Sequence, residues 1–406
     1  MQETESIMPQ VILTHSQNLT PSDSYVEQQL ERWGLDATWQ HQFESWDNLW
    51  QVLRTAVFQK SGAEIAQVGS TWVSGLLGMQ ALRPFTVSEV LRIQQAGNFL
   101  PVAWNSAEAE DDTKKRVWAI PWSSDARVMY YWEDMFEQAR IDPEAAFSDP
   151  RNFEDTLERL QASGFETPWV ACTAREVNTV HHICMWIWQY GGEILSPNGR
   201  EVRFTEPAAL AAIEAYFRLH RFIPDTPEGL TEADVLTLFQ QRKAACILSG
   251  TWVVTHAMRA DADLFSRLGA ALPPAPPYVG GTNLVVMNHL SARHEQSAID
   301  LIVRLSSEEF LAEFAPMAGY DLPVRTELFE KPPFSNHPFI PVLSQALQTG
   351  RSIPNLMRWG IVEDELKTAF HKIWMDIKNQ PDQALDVIIA NQLEPLAVRL
   401  KRMLAV

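Results

Sequence analysis

Two segments of the sequence place a tryptophan directly after a polar turn, an arrangement typical of a ligand-binding edge. In each segment an apolar run is followed by small polar residues and then by the tryptophan, at Gly69–Trp72 and at Ser249–Trp252. Strand, polar turn and helix form the unit of an α/β sheet, and ligands bind at the carboxyl ends of such strands. We therefore expect Trp72 and Trp252 to line a binding cleft, with a core position as the alternative.

A pair of charged residues interrupts an apolar stretch of the chain. Val117–Trp122 and Val128–Trp132 are rich in aromatic and β-branched residues, and they predict two buried strands separated by a polar interruption that contains Asp125 and Arg127. Burying such charges is costly unless something pairs with them. A segment that crosses between domains beside a polar ligand would supply the pairing. The alternative is that Asp125 and Arg127 pair only with each other.

The composition limits the class of protein. The chain has 406 residues, too many for one ordinary core, and 46% of them are hydrophobic, which indicates a globular protein of two or more domains. A formal net charge of −18 disfavours nucleic acid and anionic membranes as partners. The sequence has no apolar run long enough to span a membrane. Its three cysteines are too few for a disulfide scaffold.

Strands and helices alternate along the sequence, and this pattern predicts an α/β fold of two lobes joined by extended segments. We expect the joining segments near residues 122–127, 270–277 and 319–325. The N-terminal lobe is then residues 1–124 with 274–322, and the C-terminal lobe is residues 128–270 with 326–406. A ligand cleft is expected between the two lobes.

The sequence does not favour catalysis or metal binding. His181, His182 and Cys184 are near neighbours on a predicted helix, where such side chains point in different directions, and no partner cluster has metal-ligand spacing. A glycosidase needs two carboxylates facing each other across the scissile bond, whereas adjacent acids such as Glu308 and Glu309 diverge. No nucleophile elbow, P-loop or dinucleotide fingerprint is present. We therefore expect a protein without enzymatic activity, cofactor or metal.

Five short motifs resemble, in their order, the family 1 extracellular solute-binding proteins, which are the sugar-capturing subunits of ABC importers and include maltose-binding protein. The motifs are GSTWVSGLL (Gly69–Leu77), WAIPWSSDARVMYYWEDMF (Trp118–Phe136), ILSGTW (Ile247–Trp252), GGTNLVV (Gly280–Val286) and GYDLPVR (Gly319–Arg325). None is specific by itself, but together they cover nearly the whole chain. The resemblance implies the two-lobe periplasmic-binding-protein fold (type II), hinged, which closes on a carbohydrate.

The resemblance also implies which residues contact the ligand. Trp72, with the adjacent Thr71, and Trp252 match the aromatic platforms of the two lobes. Asp125 matches a position whose carboxylate accepts sugar hydroxyls, and Arg127 matches the neighbouring hinge position.

Four further candidates follow from the same resemblance, and a fifth, Trp186, follows from the residues alone. Gly281, Thr282 and Asn283 match a turn whose backbone approaches the ligand, and Trp359 matches an aromatic residue of the C-terminal helical segment. Trp186 lies in a predicted apolar helix and either faces the cleft or belongs to the core.

Chemically, the assignment is consistent with carbohydrate binding. Indole rings stack on the C–H face of a sugar, while Asp, Arg, Asn and backbone N–H groups satisfy its hydroxyls. The expected function is capture of a sugar or oligosaccharide by a monomeric receptor that delivers it to the permease subunits of an ABC transporter. The alternatives are a ligand sensor of the same fold that regulates a signalling partner and, less favoured, a glycoside-active enzyme.

The start of the sequence leaves the location open. Its first sixteen residues are acidic and lack the basic start and apolar core of a secretion signal. A receptor whose signal has been removed would be periplasmic or attached to the cell surface. A protein that never carried a signal would be cytoplasmic.

Overall fold

The computed structural model describes residues 10–16, 20–34, 38–44, 46–110, 114–224, 226–254, 262–318 and 322–404. These residues form two compact units. Unit 1 contains the described residues up to Asp125, together with Gly280–Ile340 and Ser352–Met357. Unit 2 contains Ala126–Val279, Pro341–Arg351 and the described residues from Arg358 onward.

The strands of the described residues are β1 (Gln10–Ser16), β2 (Thr38–Glu44), β3 (Ile65–Gly69), β4 (Glu108–Glu110), β5 (Lys115–Val117), β6 (Ala119–Ala126), β7 (Val128–Trp132), β8 (Trp169–Val170), β9 (Cys246–Ser249), β10 (Leu268–Ala271) and β11 (Val279–Val286).

The helices in the first half of the described chain are α1 (Thr20–Trp33), α2 (Trp46–Gln59), α3 (Trp72–Gly78), α4 (Val87–Gln94), α5 (Pro101–Asn105), α6 (Glu133–Gln138), α7 (Pro143–Ala146), α8 (Pro150–Ala162) and α9 (Val177–Gln189). Those in the second half are α10 (Pro207–Phe217), α11 (Glu232–Gln240), α12 (Ala262–Phe265), α13 (Glu295–Leu305), α14 (Glu308–Ala318), α15 (Ile340–Thr349), α16 (Trp359–Asn379) and α17 (Leu385–Leu404). Short 3₁₀ segments occur at Arg218–Phe222, Ala292–His294, Thr326–Glu330 and Phe334–Asn336.

Unit 1 is built on a five-stranded sheet with the strand order β2-β1-β3-β11-β6. Strands β1, β2 and β3 are parallel, whereas β11 runs antiparallel to β3. Consecutive residues of β11 point to opposite faces of the sheet. Leu284 and Val286 join one apolar cluster with residues of α13 and α14, while Val285 joins a second cluster with residues of α2 and α3. Both faces of the sheet are therefore covered by helices.

Unit 2 contains a four-stranded sheet with the order β10-β7-β9-β8. Strand β7 pairs antiparallel with β10 and with β9, and every residue of β7 is buried. The indole of Trp132 stacks on Phe239 at a centroid distance of 4.5 Å, and its N–H donates to the backbone carbonyl of the same residue at 3.1 Å. The apolar run predicted at Val128–Trp132 is thus a fully buried strand.

The polar residues between the two apolar runs were predicted to interrupt the strand, and this prediction is wrong. Strand β6 continues through Ser123, Ser124 and Asp125 to Ala126. The Ser123 hydroxyl shares a 2.7 Å hydrogen bond with the Thr282 hydroxyl, and the Ser124 backbone N–H donates to Leu322 O at 3.3 Å. These partners stabilise an extended conformation that propensity alone does not favour for serine and aspartate.

The division into units differs from the predicted lobes. The chain passes between the units after Asp125 and after Val279, close to the first two predicted segments. It then passes between them again near residues 340, 351 and 357. Consequently, residues 326–340 and 352–357 belong to unit 1, whereas the sequence placed them in the C-terminal lobe.

The third predicted joining segment, at residues 319–325, belongs to unit 1 as far as it is described. Gly319, Tyr320 and Asp321 lie outside the described residues, and the remainder ends at the buried Arg325. The Arg325 side chain donates to Ser306 O at 2.7 and 2.9 Å and to Ile93 O at 3.1 Å. Its guanidinium also lies 3.6 Å from the ring centroid of Phe99. These contacts fix the segment to the ends of α4 and α13.

Burial lowers the pKa of Arg325 to about 10, against the opposing influence of nearby Glu327 and Glu308. At neutral pH the side chain therefore keeps its charge, and its carbonyl partners supply the compensation that a buried charge requires.

Within the described residues, no helix is both long enough and apolar enough to cross a membrane.

Gly281 is the position in unit 1 where a side chain is least tolerable. Its φ of +134° disfavours any other residue, and a Cβ atom there would lie 2.1 Å from Ser123 O. We expect Gly281→Ala to lower the free energy of unfolding by more than about 2 kcal/mol, because strain and overlap add. Urea unfolding followed by circular dichroism measures the loss.

Gly164→Ala is the matched control for Gly281→Ala. Gly164 has a φ of +99°, and no described atom lies within 4 Å of an added Cβ. This variant should show only the cost of backbone strain, about 1 kcal/mol. Equal losses of unfolding free energy in the two variants would contradict the close approach of β11, at Gly281, to β6.

Candidate functional site

Trp72 in unit 1 begins α3 directly after β3, as the sequence predicts. Its indole is half-buried, and its centroid lies 5.2 Å from that of Trp50. A Cβ atom at Gly69 would make an ordinary 3.6 Å contact with this indole. Thr71, at the helix N-cap position, is buried and makes no side-chain capping bond. Part of the Trp72 indole therefore stays accessible at the end of a strand.

A buried polar cluster joins three strands of the unit 1 sheet. Gln67 Nε2 donates to Thr282 Oγ1 at 3.0 Å, and the Thr282 and Ser123 hydroxyls share a 2.7 Å hydrogen bond. Gln67 is fully buried, and Thr282 and Ser123 are nearly so. The Thr282 side chain, predicted as a ligand contact, is therefore already engaged within unit 1.

Asn283 is also held by internal contacts. It is 1% exposed, its Oδ1 accepts from Ser106 Oγ at 3.2 Å, and its Nδ2 donates to the same hydroxyl at 3.1 Å. Asn355 joins the group, because its Oδ1 accepts from Ser74 Oγ at 3.2 Å and its Nδ2 donates to Ser106 O. The predicted turn at Gly281–Asn283 is wrong, since these residues lie inside β11. Strand pairing with β3 and the closely packed β6 backbone hold them extended.

Asp125 is the last residue of the first segment of unit 1 and the second-last residue of β6. It is partly exposed, whereas its neighbours Ser124 and Ala126 are buried. The structure thus leaves a carboxylate accessible at a strand end, where a hydroxyl-bearing ligand could be bound. Its role as a ligand contact stays a prediction.

Arg127 is the charged centre of the polar group in unit 2. Its side chain is buried, and Nη2 donates to Asn178 Oδ1 at 2.9 Å. The guanidinium carbon lies 4.5 Å from the ring centroid of Trp252 and 5.6 Å from that of Tyr278. Burial lowers the pKa of Arg127, while the nearby Glu232 carboxylate acts in the opposite direction. The aromatic faces supply part of the stabilisation that water would give an exposed guanidinium.

Glu232 collects hydrogen bonds on both of its carboxylate oxygens. Oε1 accepts from the Trp252 indole N–H at 3.0 Å and from the Ser249 hydroxyl. Oε2 accepts from Asn178 Nδ2 at 3.2 Å and from Cys172 Sγ at 3.0 Å. Glu232 is also the first residue of α11, where a negative charge interacts favourably with the helix dipole. We call Arg127, Asn178, Glu232 and Trp252 the Trp252 network.

Trp252 follows β9 in the same way that Trp72 follows β3, as the sequence predicts. Its indole is half-buried and lies close against the backbone at Gly250, where an added Cβ would be only 2.2 Å from the ring. Each unit therefore carries a half-buried tryptophan directly after a strand that ends beside a glycine.

Trp186 lies in the core of unit 2 and not at a surface. It is 1% exposed, and its indole packs edge-on against Tyr216 at 5.1 Å and against Phe153 at 6.4 Å. Its role as a ligand contact stays a prediction. Because α9 is rich in apolar residues, its sequence did not show which face of the helix packs against the core.

Trp359 begins α16, and its indole N–H donates to Glu363 Oε1 at 2.9 Å. The residue is 2% exposed. Its role as a ligand contact stays a prediction.

The sequence interpretation missed Glu232, Asn178 and Gln67. Glu232 is the first residue of α11, and Asn178 is the second residue of α9. The available signal was a polar residue at a helix N-terminus beside a buried strand, a place where anions and polar groups are stabilised. Gln67 gave a weaker signal, a single amide inside an apolar strand.

His181, His182 and Cys184, which the sequence analysis considered as metal ligands, are all buried in unit 2. The His181 ring stacks on Tyr278 at 3.8 Å, and His182 Nδ1 lies 3.3 Å from the Tyr216 hydroxyl. Burial and the charge of Arg127 lower the pKa of both imidazoles, that of His182 to about 3. Cys184 is buried, and burial raises the pKa of its thiol. The described part of the chain contains no group of three or more His, Cys, Asp or Glu side chains arranged to hold a metal.

Two cavities are present away from these residues. One in unit 2, of about 350 Å³, is lined mainly by residues of α16 and by the segments around His220 and Pro381. One in unit 1, of about 200 Å³, is lined by residues that include Leu77, Trp118 and Met357. Neither includes a residue predicted from the sequence to contact the ligand.

Comparisons with known proteins identify the class of fold. A solute-binding protein from Thermotoga lettingae TMO, solved with α-D-tagatose, has a TM-score of 0.82 at 17% identity, covering 98% of this chain and 100% of that one. Maltose-bound MalE3 of T. maritima has a TM-score of 0.79 at 20% identity, covering 97% of this chain and 99% of that one. The predicted α/β fold of two-lobe solute-binding proteins is confirmed.

Sequence comparisons identify the family. The profile of the bacterial extracellular solute-binding proteins matches residues 33–342. A Brucella abortus (strain 2308) protein, described only as a binding protein, is 24% identical over 351 residues, which cover 84% of this chain and 81% of that one. The chain belongs to the bacterial extracellular solute-binding protein family, as its motifs indicate. The family is one of binding proteins, and its name refers to an extracellular location.

The contact between Gly250 and Trp252 predicts an asymmetry between the two units. We expect Gly250→Ala to destabilise unit 2 by about 1–3 kcal/mol, because an added Cβ overlaps the indole and forces it to move. Gly69→Ala, the matched change beside Trp72, should be tolerated, because its Cβ meets the indole at an ordinary 3.6 Å. Urea unfolding monitored by tryptophan fluorescence measures both, and equal effects would contradict the close packing at Gly250.

The buried imidazole of His182 predicts a pH dependence of stability. Its folded pKa, about 3, lies below the ordinary value of 6.5, so the unfolded state binds the proton more readily. Stability should therefore fall as the pH drops below about 6.5 and stop falling, for this group, near its folded pKa. The slope is about 1.4 kcal/mol per pH unit for one histidine.

Replacing His182 tests this dependence. His182→Asn should remove that part of the slope between about pH 6 and pH 4, whatever its effect on absolute stability. Urea midpoints measured across this range give the slope. An unchanged slope would show that His182 is protonated in the folded protein.

Proposed function

We propose that this protein binds a carbohydrate, using the indoles of Trp72 and Trp252 as stacking surfaces, and delivers it to the permease of an ABC transporter. The observation that carries the proposal is the repetition of one local arrangement in the two units. In each unit a strand ends beside a glycine, and a half-buried tryptophan follows within three residues.

The chemistry around each indole suits a polyhydroxylated ligand. An indole face is apolar and matches the C–H face of a sugar ring, while the ring hydroxyls need donors and acceptors at its edge. In unit 1, Asp125 offers a partly exposed carboxylate, and Thr71 lies beside Trp72. In unit 2, the buried Arg127 lies against Trp252 and would act on the ligand through that indole.

The related structures support the same class of ligand. The printed descriptions of the two solved proteins name α-D-tagatose and maltose, a monosaccharide and a disaccharide. Both ligands carry several hydroxyls and no charge, which fits the mixture of aromatic and polar groups described above. Closure of the two lobes on the ligand, which the resemblance implies, stays a prediction.

The remaining parts of the proposal concern activity, oligomeric state, location and partner. The protein acts without catalysis, as a monomer, outside the cytoplasm, and its macromolecular partner is the membrane permease. A formal net charge of −18 disfavours nucleic acid as an alternative partner, because a polyanion repels it.

Binding measurements test the proposal. A melting-temperature screen against mono- and oligosaccharides that includes maltose and D-tagatose identifies a ligand, because a ligand that binds the native state raises the transition. With that ligand, Trp72→Ala and Trp252→Ala should each weaken the affinity at least about 10-fold, or about 1.4 kcal/mol, in calorimetric titration. Loss of the stacking surface is the physical reason.

Trp33→Ala is the matched control for these variants. Trp33 is also half-buried in unit 1, but it packs against Phe310 at 5.7 Å and against the guanidinium of Arg304. Its removal should change stability and leave affinity unchanged. Wild-type affinity in both the Trp72 and the Trp252 variants would refute the proposed stacking surfaces.

A further inference from the structure

The Trp252 network forms a closed set of contacts within unit 2. The Trp252 indole N–H donates to Glu232 at 3.0 Å, and Glu232 accepts from Asn178 at 3.2 Å. Asn178 then accepts from Arg127 at 2.9 Å, and the Arg127 guanidinium lies 4.5 Å from the Trp252 ring. Glu232 thus holds the edge of the indole, and Arg127 lies against one of its faces. Asn178 connects these two charged groups.

From this geometry we infer that Glu232 is a positioning residue for ligand binding, which fixes the orientation of the Trp252 indole before the ligand arrives. The inference rests on the proposed function, since it assigns the orientation of a proposed stacking surface. Glu232 itself is engaged by internal donors and acts through Trp252.

Among the described residues, Gly250 and Arg127 also lie close to the indole. Gly250 leaves room for the ring against the backbone, and Arg127 covers part of a face, but neither sets the in-plane rotation of the indole. A hydrogen bond from the ring N–H does set it, because the N–H direction is fixed in the plane of the ring. A side chain held in advance loses less conformational entropy when a ligand binds.

The carboxylate of Glu232 suits this role better than an amide would. Its two oxygens face four donors, from Trp252, Ser249, Asn178 and Cys172. A glutamine of the same shape would present an NH₂ group to one pair of these donors, and donors repel each other. Its charge also offsets that of Arg127, which is buried beside the same indole.

Glu232→Gln is the first variant that tests the inference, with Glu232→Asp as the second. The aspartate keeps the negative charge near Arg127, which favours folding, but it is one methylene too short to keep the same contacts with Trp252. The protein is labelled with 5-fluorotryptophan, and the ¹⁹F resonance of Trp252 is assigned by its absence in Trp252→Phe. We expect this resonance to shift or broaden in both variants without any ligand.

Asp376→Asn is the control. Asp376 is in α16 of the same unit, and its Oδ2 accepts from Gln392 Nε2 at 2.7 Å, so the change also replaces a hydrogen-bonded carboxylate with an amide. It should leave the Trp252 resonance unchanged. A Trp252 resonance that stays at its wild-type position in both Glu232 variants, or that changes equally in Asp376→Asn, would overturn the inference.

The second measurement links orientation to binding, with maltose as the probe. Glu232→Gln should bind maltose about 10-fold more weakly than the wild type, while Asp376→Asn binds it with wild-type affinity. A displaced Trp252 resonance with undiminished maltose affinity would overturn the role in binding. If the wild type binds neither maltose nor any other carbohydrate, the proposed function fails, and the spectrum without ligand still decides whether Glu232 orients Trp252.

Discussion

The buried charge of Arg127 is the constraint on which the candidate site in unit 2 depends. A guanidinium removed from water must be compensated by hydrogen bonds, an opposite charge or aromatic faces. All three are present, because Asn178 accepts from it, Glu232 acts on it electrostatically, and Trp252 and Tyr278 offer their rings. The same compensation brings the N-terminal ends of α9 and α11 to the indole of Trp252. Stabilising one charge therefore also orients a proposed ligand-binding surface.

Unit 1 has a similar strand–glycine–tryptophan arrangement, but its polar cluster is chemically different. The polar cluster at the end of its sheet consists of the neutral side chains Gln67, Ser123 and Thr282. Trp72 has ordinary contact distances at Gly69, whereas Trp252 has no room for a Cβ at Gly250. The two strand–glycine–tryptophan arrangements are thus alike in order but unlike in packing.

Sequence patterns were most informative where one local rule decides the structure. Buried strands such as β7 and β9, and the half-buried tryptophans that follow β3 and β9, could be predicted, because apolar runs and polar turns determine them locally. The extent of β6 could not, because Ser123 and Ser124 are held extended by partners far away in the sequence. The unit boundaries beyond residue 280 failed for the same reason, since Arg325 is fixed to unit 1 by carbonyls of distant helices.

The candidate site shows the same limit. Asn283 was predicted as a ligand contact by motif order and Trp186 by its place in an apolar helix, and both are buried by contacts that no local pattern encodes. Glu232 was missed because an acidic residue at the start of a helix has a sufficient local explanation. Its second role, as the acceptor for Trp252, exists only because α11 packs beside β9. Contacts between elements distant in sequence, and not residue type, determine which side chains belong to the proposed site and which belong to the core.

A crystal structure grown with the carbohydrate that most raises the melting temperature tests the central claim most directly. The account predicts sugar rings stacked against the proposed surfaces, the indoles of Trp72 and Trp252, with hydroxyls bound by polar groups beside each. A carbohydrate bound at a distance from both indoles would contradict it.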